Sequence, residues 1–507
     1  MKTRGMRHQI AALQRMHGRD AYALFMEQGT GKTWTLLADA EQLYARGEID
    51  GMLVIAPNGV HTNWVLREIP AHMTGAIVAR AWRSGASKRH LRDLEALFAP
   101  REKGSPVPLR VLAMNIDAVI TKAGQAFAER FLRATRAMIV VDESSRIKNP
   151  SSERTRALMR LRSLAEVARI ASGTPVTQSP IDVFAQMEFL ESGLLGTTSY
   201  RAFVAEYAEL LDPSSHMMLA LARKNPRAAH AQIFARGPDG APKWRNLEKL
   251  QRLLEPHSFR VLKRECLDLP EKIFKTITFE LDAAQQKAYT RMQEDLRIEL
   301  PDHTELAVSQ LGAIVKLQQI TSGFVNTSDG AMAVSQENPR LRALLDLLED
   351  NPGPVIVWAR FREELDAIAR ALVDARVSAV QYHGGVNARD REAAVDAFQN
   401  NQARVFLGQP QSGGIGLTLT AAETVIYYSN DFNLETRLQS EDRAHRIGTR
   451  RNVVYIDIAA EGTIDEKIAS VLQRKQRLAA KVLGDAPELE SAIIRSHRTQ
   501  KGRSSHG

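Results

Sequence analysis

Residues 26 to 33 read Met26-Glu27-Gln28-Gly29-Thr30-Gly31-Lys32-Thr33. The apolar run Ala21 to Phe25 precedes them and predicts a buried strand, and Trp34 to Tyr44 follows with apolar residues at helical spacing. A glycine loop between a strand and a helix turns backbone N–H groups toward phosphate oxygens, and the helix N-terminus adds a partial positive charge. The stretch therefore predicts a phosphate cradle, in which Lys32 reaches the β- and γ-phosphates and the Thr33 hydroxyl binds Mg²⁺. The alternative is an ordinary glycine turn between core elements.

The composition is that of a soluble globular protein with more than one domain: 507 residues, 25% charged and 44% hydrophobic. The apolar runs are too short to cross a bilayer, and the basic N-terminus lacks the apolar segment of a signal peptide. Because Cys266 is the single cysteine, an intramolecular disulfide and a cysteine-built zinc site are excluded. We therefore expect a protein of the reducing cytoplasm without a membrane partner. The net charge of +9 favours, weakly, a polyanionic partner.

Short apolar runs alternate with helical patterns in two blocks of the chain. Predicted strands lie at 52–56, 110–116, 137–141 and 166–171, and then at 275–281, 354–358, 379–382, 405–407, 424–428 and 453–458. Strands spaced by helices indicate a parallel, doubly wound sheet in each block. We predict an α/β protein with a phosphate-binding lobe at 1–193, a mainly helical insertion at 194–270, a second lobe of the same architecture at 271–484, and a basic, disordered tail at 485–507. The basic loop 223–245 indicates either a nucleic-acid contact or a solvated linker.

The strand at 137–141 ends in two carboxylates, Asp142 and Glu143. Open α/β sheets bind their ligands at the C-terminal ends of their strands, and an unpaired buried carboxylate is costly. We expect Asp142 to bind Mg²⁺, directly or through water, and Glu143 to position and deprotonate the water that attacks the γ-phosphate. A solvated strand end is the alternative.

Polar residues elsewhere are candidates for completing such a site. Gln9, just upstream of the loop, can offer its amide to an adenine edge, although a polar helix face is an equally good interpretation. Gln439, Arg443 and Arg446 are predicted to share one helical face, and arginines that reach a transferring phosphoryl group contribute several orders of magnitude in rate. A salt-bridged surface is the alternative for that face.

A second glycine-rich stretch, Ser412-Gly413-Gly414-Ile415-Gly416, follows the strand at 405–407. Its backbone N–H groups can bind nucleic-acid phosphates, or the stretch can act as a movable joint driven by ATP. A tight turn is the plain alternative.

Taken together and in this order, the motifs resemble those of the Swi/Snf-type ATPases of helicase superfamily two, from Gln9 to about Ile447. The matching stretches are Met26–Thr33, Leu53–Trp64 with its Asn-Trp pair, Asp142–Asn149, Ser172–Pro175, Tyr382–Gly385, Gly413–Leu419 with Asp431–Asn433, and Gln439–Gly448. Three residues depart from the family pattern. Met26 replaces an Asp, Phe432 replaces a Trp, and Ser145 replaces a His, which puts in doubt how the nucleotide state reaches Ser172–Pro175.

The resemblance implies two RecA-like lobes and an ATP-hydrolysing, DNA-dependent motor with ATP and Mg²⁺ as cofactors. Such a motor translocates along double-stranded DNA and remodels DNA or protein–DNA complexes, holding phosphates rather than bases. The implied DNA-contacting residues are Asn115, Lys148, Asn149, Ser412, Gly413 and Gly414, and the implied coupling residues are Gly173, Thr174 and Gly416. A compact chain of this kind suggests a bacterial or phage origin, and we expect a monomer that a protein partner could target.

Two other functions stay open at this point. One is a strand-separating helicase or an RNA-dependent motor, which shares the same ATP chemistry. The other is a non-catalytic nucleic-acid scaffold, against which the intact Lys32, Thr33, Asp142, Glu143, Arg443 and Arg446 argue.

Overall fold

The protein is described here from a computed structural model. The structure describes residues 1–83, 85, 87–99, 107–212, 234–238, 240–295, 297–299, 305–307, 310–414 and 417–485. These residues belong to two compact units. The first comprises Met1–Cys266 and a segment that begins at Leu478, and the second runs from Leu267 to Arg477. Gly416 and the predicted tail beyond 485 lie outside the described residues, as do most of the basic loop, 223–233 and 239.

The first unit is built on a seven-stranded parallel sheet in the order β3-β4-β2-β5-β6-β1-β7. Its strands are β1 Ala21–Met26, β2 Gly51–Ala56, β3 Ile77–Ala81, β4 Leu109–Asn115, β5 Ala137–Asp142, β6 Val167–Ala171 and β7 Ser258–Val261. The central strands β2, β5 and β6 are buried along their whole length, because helices cover both faces of the sheet and two separate cores form. These strands are apolar apart from Asp142 at the end of β5 and Arg169 in β6. This confirms the predicted parallel α/β architecture.

Helices cover this sheet on both faces. They are Arg7–Met16, Lys32–Ala45, Val60–Asn63, Ile69–His72, Lys88–Glu95, Lys122–Arg133, Glu153–Arg162, Val183–Leu190, Tyr200–Tyr207, Leu247–Leu254 and Lys263–Cys266, with a π-helical turn at Trp64–Glu68 and 3₁₀ turns at Ala96–Phe98, Ala118–Ile120, Ser144–Ile147, Pro180–Asp182 and Glu255–His257. The sequence predicts one continuous helix at 63–69, but in the structure a π-helical turn occupies most of that stretch. Pro70 has no N–H to donate to the carbonyl four residues back, and the Ile69 N–H bonds instead to Trp64, five residues back.

The described residues between 194 and 266 belong to the first compact unit, whereas 194–270 was predicted as an insertion between the lobes. Strand β7, which was not predicted, extends the first sheet by pairing with β1. Arg260 on β7 forms a two-pronged ion pair with Asp485, with both N–O distances at 2.8 Å. Val482 is fully buried in the first unit's core. Residues 478–484, predicted to lie in the second lobe, and Asp485, predicted to begin a disordered tail, therefore belong to the first unit.

The second unit repeats the architecture with a six-stranded parallel sheet in the order β14-β15-β13-β16-β17-β8. Its strands are β8 Lys272–Phe279, β9 Arg297–Glu299, β10 Glu305–Ala307, β11 Phe324–Thr327, β12 Gly330–Ala333, β13 Val355–Trp358, β14 Ala379–Tyr382, β15 Val405–Gly408, β16 Thr424–Tyr427 and β17 Val453–Ala460, of which β9–β10 and β11–β12 are separate antiparallel pairs. Its helices are Ala283–Asp295, Gln310–Thr321, Pro339–Asp350, Arg362–Asp374, Ala388–Gln399, Leu434–Ala444 and Ile464–Leu483, with a 3₁₀ turn at Pro410–Gly414. The last helix begins in the second unit and ends in the first. In the described part of the chain, no helix has the length and apolarity that crossing a bilayer requires.

Candidate nucleotide site

The glycine loop has the backbone of a phosphate cradle. Gly29 and Gly31 adopt left-handed conformations, with φ of +85° and +87°, and Gly31 caps the helix that begins at Lys32. A Cβ at position 31 would lie 1.9 Å from Nε2 of Gln9, so the end of the Gln9 side chain would have to move. The positive φ is the stronger reason for glycine at this position. The Thr30 hydroxyl donates to the Glu27 carbonyl at 2.7 Å and closes the loop on itself.

Three motifs meet at one edge of the first sheet. The loop follows β1, Ser172–Pro175 follows β6, and the Asp142–Glu143 pair ends β5. Strand β6 lies between β5 and β1, and neighbouring strands are about 4.8 Å apart. A Cβ at Gly173 would lie 3.1 Å from the Gln28 nitrogen and 3.6 Å from the Lys32 Nζ, so the glycine permits close packing against the loop. The tertiary fold thus brings Gly173, a predicted coupling residue, to the predicted cradle.

Lys32 and Asp142, which carry opposite charges, are both buried near the C-terminal ends of these strands. Lys32 is 8% exposed and donates from Nζ to the Met26 carbonyl at 3.2 Å. The Asp142 carboxylate is 7% exposed, and its oxygens accept from the Trp64 indole at 3.2 Å and the Glu143 N–H at 3.1 Å. Burial raises the pKa of Asp142 above its ordinary value, and the positive charge of Lys32 opposes that rise.

The donor set fits magnesium. The Thr33 hydroxyl and the Asp142 carboxylate are hard oxygen donors, which Mg²⁺ prefers together with water and substrate phosphates. Among the described residues there is no group of three or more His, Cys, Asp or Glu side chains that could hold a metal alone.

Glu143 has a left-handed backbone, with φ 53° and ψ 59°, at the start of the 3₁₀ turn Ser144–Ile147. This conformation is uncommon for a residue with a side chain and costs about 1–3 kcal/mol. Such outliers persist where the surrounding structure enforces them, and they concentrate at active sites. The sequence contained no signal for this feature, and it supports a functional constraint on Glu143.

Gln9 touches the loop, although through bonds the sequence did not predict. Its Nε2 lies 3.4 Å from the carbonyls of both Thr30 and Gly31, and its Oε1 accepts the Met6 N–H at 2.7 Å. The side chain is 5% exposed. Both ends of the amide thus contact the protein, and its predicted contact with an adenine edge stays a prediction.

Ser145, the residue that stands in the place of a His, has a buried hydroxyl with no hydrogen-bond partner in the described structure. The neighbouring Ser144 instead makes the connection to the next motif. Its hydroxyl donates to Gln186 Oε1 at 2.7 Å, and Gln186 Nε2 donates to the carbonyls of Pro175 and Asp182, both at 2.8 Å. Ser144 and Gln186 are fully buried. This polar chain links the acidic turn to the segment after β6, and sequence reasoning missed it.

We expect that Ser144→Ala lowers the free energy of unfolding of the first unit by about 1–3 kcal/mol, since it leaves Gln186 Oε1 buried and unpaired. Gln186→Leu should lower the free energy of unfolding further, because it leaves both the Ser144 hydroxyl and the Pro175 carbonyl without their hydrogen-bond partner. In the double variant the free energy of unfolding should fall by less than the sum of the two single losses, because both changes remove the same hydrogen bond. The measurement is the urea midpoint for loss of nucleotide binding. Ser163→Ala, at an exposed hydroxyl, is the control, and additive losses in the double variant would contradict the expectation.

The predicted DNA-contacting residues of the first unit each form a hydrogen bond within the protein. Asn115 Oδ1 accepts the Ala118 N–H at 2.6 Å, and Asn149 Oδ1 accepts the N–H and hydroxyl of Ser151 at 3.0 and 2.8 Å. Lys148 Nζ donates to the Thr177 hydroxyl. Thr174, a predicted coupling residue, donates its N–H to the Ser172 hydroxyl at 3.1 Å. These bonds hold each residue in place, and the nucleic-acid and coupling roles stay predictions.

The sequence of the second unit predicts a helix from Leu434 to Ile447, and in the structure that helix ends earlier, at Ala444. The Thr449 hydroxyl donates to the Ala444 carbonyl at 2.7 Å and accepts the Arg446 N–H at 3.1 Å, which terminates the helix. The prediction that Arg446 shares a helical face with Gln439 and Arg443 is therefore wrong, because Arg446 lies beyond the helix.

Both arginines nevertheless lie beside the segment 417–419. Arg443 is 3% exposed and its carbonyl accepts the Leu419 N–H at 2.9 Å. Arg446 is half-buried, and its Nη1 donates to the Leu417 carbonyl at 3.1 Å and the Thr418 hydroxyl at 2.9 Å.

The other predicted site residues of the second unit also bond within the protein. Gln439 Nε2 donates to Glu435 at 3.3 Å, and Ser412 donates its N–H to the Gln409 carbonyl at 3.1 Å. Gly413 and Gly414 lie in the 3₁₀ turn that ends at Gly414.

The chain is similar to several known proteins. The chain is 25% identical over 472 residues to the putative ATP-dependent helicase/translocase YwqA of Bacillus subtilis, which covers 90% of this chain and 46% of that protein. It is 23% identical over 522 residues to the mouse DNA repair and recombination protein RAD54-like, covering 94% of this chain and 65% of that protein. The chain spans about half or less of most of the curated relatives it matches.

A solved structure, the Sulfolobus solfataricus SWI2/SNF2 ATPase core in complex with dsDNA, aligns over 98% of this chain and 97% of that one, at 20% identity and a TM-score of 0.39. The conserved C-terminal helicase domain matches residues 339–448. The SNF2-related domain matches residues 8–326, more than half of the chain. The protein with this phosphate loop, acidic strand end and paired parallel sheets therefore belongs to the SNF2-related family.

Proposed function

We propose that this chain is an ATP-hydrolysing motor that depends on nucleic acid and translocates along double-stranded DNA. The observation that carries the proposal is the edge of the first sheet, where a glycine cradle, Lys32 and the Asp142–Glu143 pair lie within a few strands of one another. The printed names of the relatives, an ATP-dependent helicase/translocase and a DNA repair protein, support the same class. The net charge of +9 suits a polyanionic partner.

In this proposal each residue of the edge has one task. The loop N–H groups and Lys32 bind the triphosphate, and Thr33 and Asp142 hold Mg²⁺, which when bound neutralises charge that develops on the phosphates. Glu143 orients the attacking water and accepts its proton. Arg443 and Arg446 are the candidate arginines for stabilising the transferring phosphoryl group, and Gly173, Thr174 and Gly416 couple hydrolysis to movement along DNA. Gln9 and Gln439 contact the nucleotide.

The proposal is tested by the ATPase rate measured in parallel with duplex DNA, single-stranded DNA and RNA. Stimulation by duplex DNA above the other two supports it. A preference for RNA or single strands would favour the alternative motor, and no turnover with any of the three would favour a scaffold. Displacement of the third strand of a triplex, with a plain duplex left paired, separates translocation from strand separation.

We expect duplex binding to weaken steeply as salt rises, with no base preference, because contacts to phosphate release counterions. If Lys148 is one of these contacts, Lys148→Ala lowers the slope of log K against log salt by about one. Lys122→Ala, at an exposed lysine that begins the helix Lys122–Arg133, is the matched control and leaves the slope unchanged. Fluorescence anisotropy of a labelled duplex measures both. If the slope is unchanged in Lys148→Ala, Lys148 makes no contact with DNA phosphate, and its role is the hydrogen bond to Thr177.

A further inference from the structure

Trp64 makes a direct bond to the proposed metal-binding carboxylate. Its indole Nε1 donates to Oδ2 of Asp142 at 3.2 Å, across 78 residues of sequence. Trp64 is 1% exposed and Asp142 is 7% exposed, so the bond lies in the interior of the first unit. A hydrogen bond to a buried carboxylate is stronger than one between neutral groups, because the acceptor carries charge that water does not screen.

Trp64 is buried in the interior of the first unit, a short distance along the chain from the end of β2. It follows β2 through the short helix Val60–Asn63 and begins the π-helical turn Trp64–Glu68. The residue belongs to the same apolar core as Met26, which ends β1, and Val140 of β5. Burial in a close-packed core restricts the rotamers that the side chain can adopt.

A second tryptophan of the same unit shows what Trp64 does beyond packing. Trp82 is also buried, at 6% exposed, and its indole nitrogen has no hydrogen-bond partner in the described structure. Burying an indole in this unit therefore does not require a bond for its N–H. The bond from Trp64 is directed at one particular group, Asp142.

The carboxylate of Asp142 is fixed at both of its oxygens. Oδ2 accepts from Trp64, and Oδ1 accepts the backbone N–H of Glu143 at 3.1 Å. Two bonds on two oxygens define the plane of the group, and each oxygen keeps a lone pair for another ligand. Partners that orient a metal-binding side chain typically contribute 10- to 100-fold in metal affinity.

We propose that Trp64 is a positioning residue that holds the Asp142 carboxylate in the orientation that binds Mg²⁺ with the nucleotide. The inference rests on the proposed role of Asp142. Trp64 does not touch the substrate, and its effect reaches the reaction through one hydrogen bond.

The test is a titration of Mg²⁺ against ADP binding, measured by calorimetry on the full chain without turnover. In Trp64→Phe, the Mg²⁺ concentration at which ADP binding is half-maximally strengthened should rise about tenfold or more. ADP binding in EDTA should match that of the unmodified protein, since the phosphate loop is untouched. Trp82→Phe removes a second buried indole, whose N–H has no hydrogen-bond partner among the described residues, and should shift the Mg²⁺ requirement less than twofold.

Asp142→Asn distinguishes a failure of the positioning role of Trp64 from a failure of the metal-binding role of Asp142. If Asp142→Asn shifts the Mg²⁺ requirement and Trp64→Phe does not, the positioning role is overturned alone. If neither shifts it, the assignment of Asp142 is wrong and the inference falls with it. Adding Trp64→Phe to Asp142→Asn should cause no further shift, because the charged acceptor is already gone, and an additional shift would overturn the proposal.

If Trp64→Phe also weakens ADP binding in EDTA, the indole has a packing role. The shift in the Mg²⁺ requirement of that variant then no longer supports a positioning role. The matched experiment then replaces Trp64 by benzothienylalanine, which keeps the two fused rings and substitutes sulfur for the N–H. A normal Mg²⁺ requirement in that protein would show that the hydrogen bond has no part in metal binding. A raised requirement with normal EDTA binding supports the bond.

Discussion

Glu143→Gln lowers ATP turnover by about two to four orders of magnitude, because the amide cannot accept the proton of the attacking water. Gln has the size of Glu, and the backbone N–H that donates to Asp142 is retained. The variant should therefore still bind ATP and DNA. Steady-state ATPase with saturating duplex DNA measures the loss, and a filter or anisotropy assay measures the binding.

The comparison needs two further variants. Lys32→Ala should also abolish turnover, by a different route, because the positive charge that holds the phosphates is lost, and its ATP affinity should fall while DNA binding remains. Glu188→Gln is the matched control, since Glu188 is a partly buried carboxylate of the same unit that accepts the Gly193 N–H at 2.7 Å. Wild-type turnover in Glu143→Gln would show that another group activates the water.

Arg446→Ala should lower kcat by about a thousandfold if Arg446 is the arginine that stabilises the transferring phosphoryl group. Arg446 is only half-buried, and its hydrogen bonds to Leu417 and Thr418 hold one terminal nitrogen of the guanidinium, Nη1, in place. Arg446→Lys should rescue little, since an ammonium cannot reproduce the planar fork. Arg443 is less suited to this test, because it is 3% exposed and its removal would also disturb the core.

Arg451→Ala is the control for Arg446→Ala. Arg451 is exposed and pairs with Glu423 at the surface, and such pairs contribute little to stability. Its kcat should stay within about twofold of the wild-type value. If Arg446→Ala keeps kcat within about threefold while the segment 417–419 becomes sensitive to protease, Arg446 is a structural anchor of that segment and the catalytic arginine lies elsewhere.

The elements that were correctly predicted are those whose signal is local. The loop from Gly29 to Thr33 is defined by two glycines with one residue between them, and the left-handed φ values at Gly29 and Gly31 are conformations that glycine allows. The buried strand Ala137–Asp142 begins with the uninterrupted apolar run 137–141, and its place in a parallel sheet follows from the alternation with helices. Element ends were predicted less well, as at Ala444, because the bonds of the Thr449 side chain decide where that helix stops.

What the tertiary structure alone decided are the contacts between distant parts of the chain. Strand β7 joins the first sheet and Asp485 pairs with Arg260 across 225 residues, so the unit boundaries could not follow from composition. Ser144 meets Gln186, and Trp64 meets Asp142, because parallel strands carry their C-terminal ends to one edge whatever their order in the chain. Local pattern thus specified the phosphate loop and the acidic pair, since neighbouring residues create both. The partners that orient them depend on strand order and packing, which no local stretch of sequence encodes.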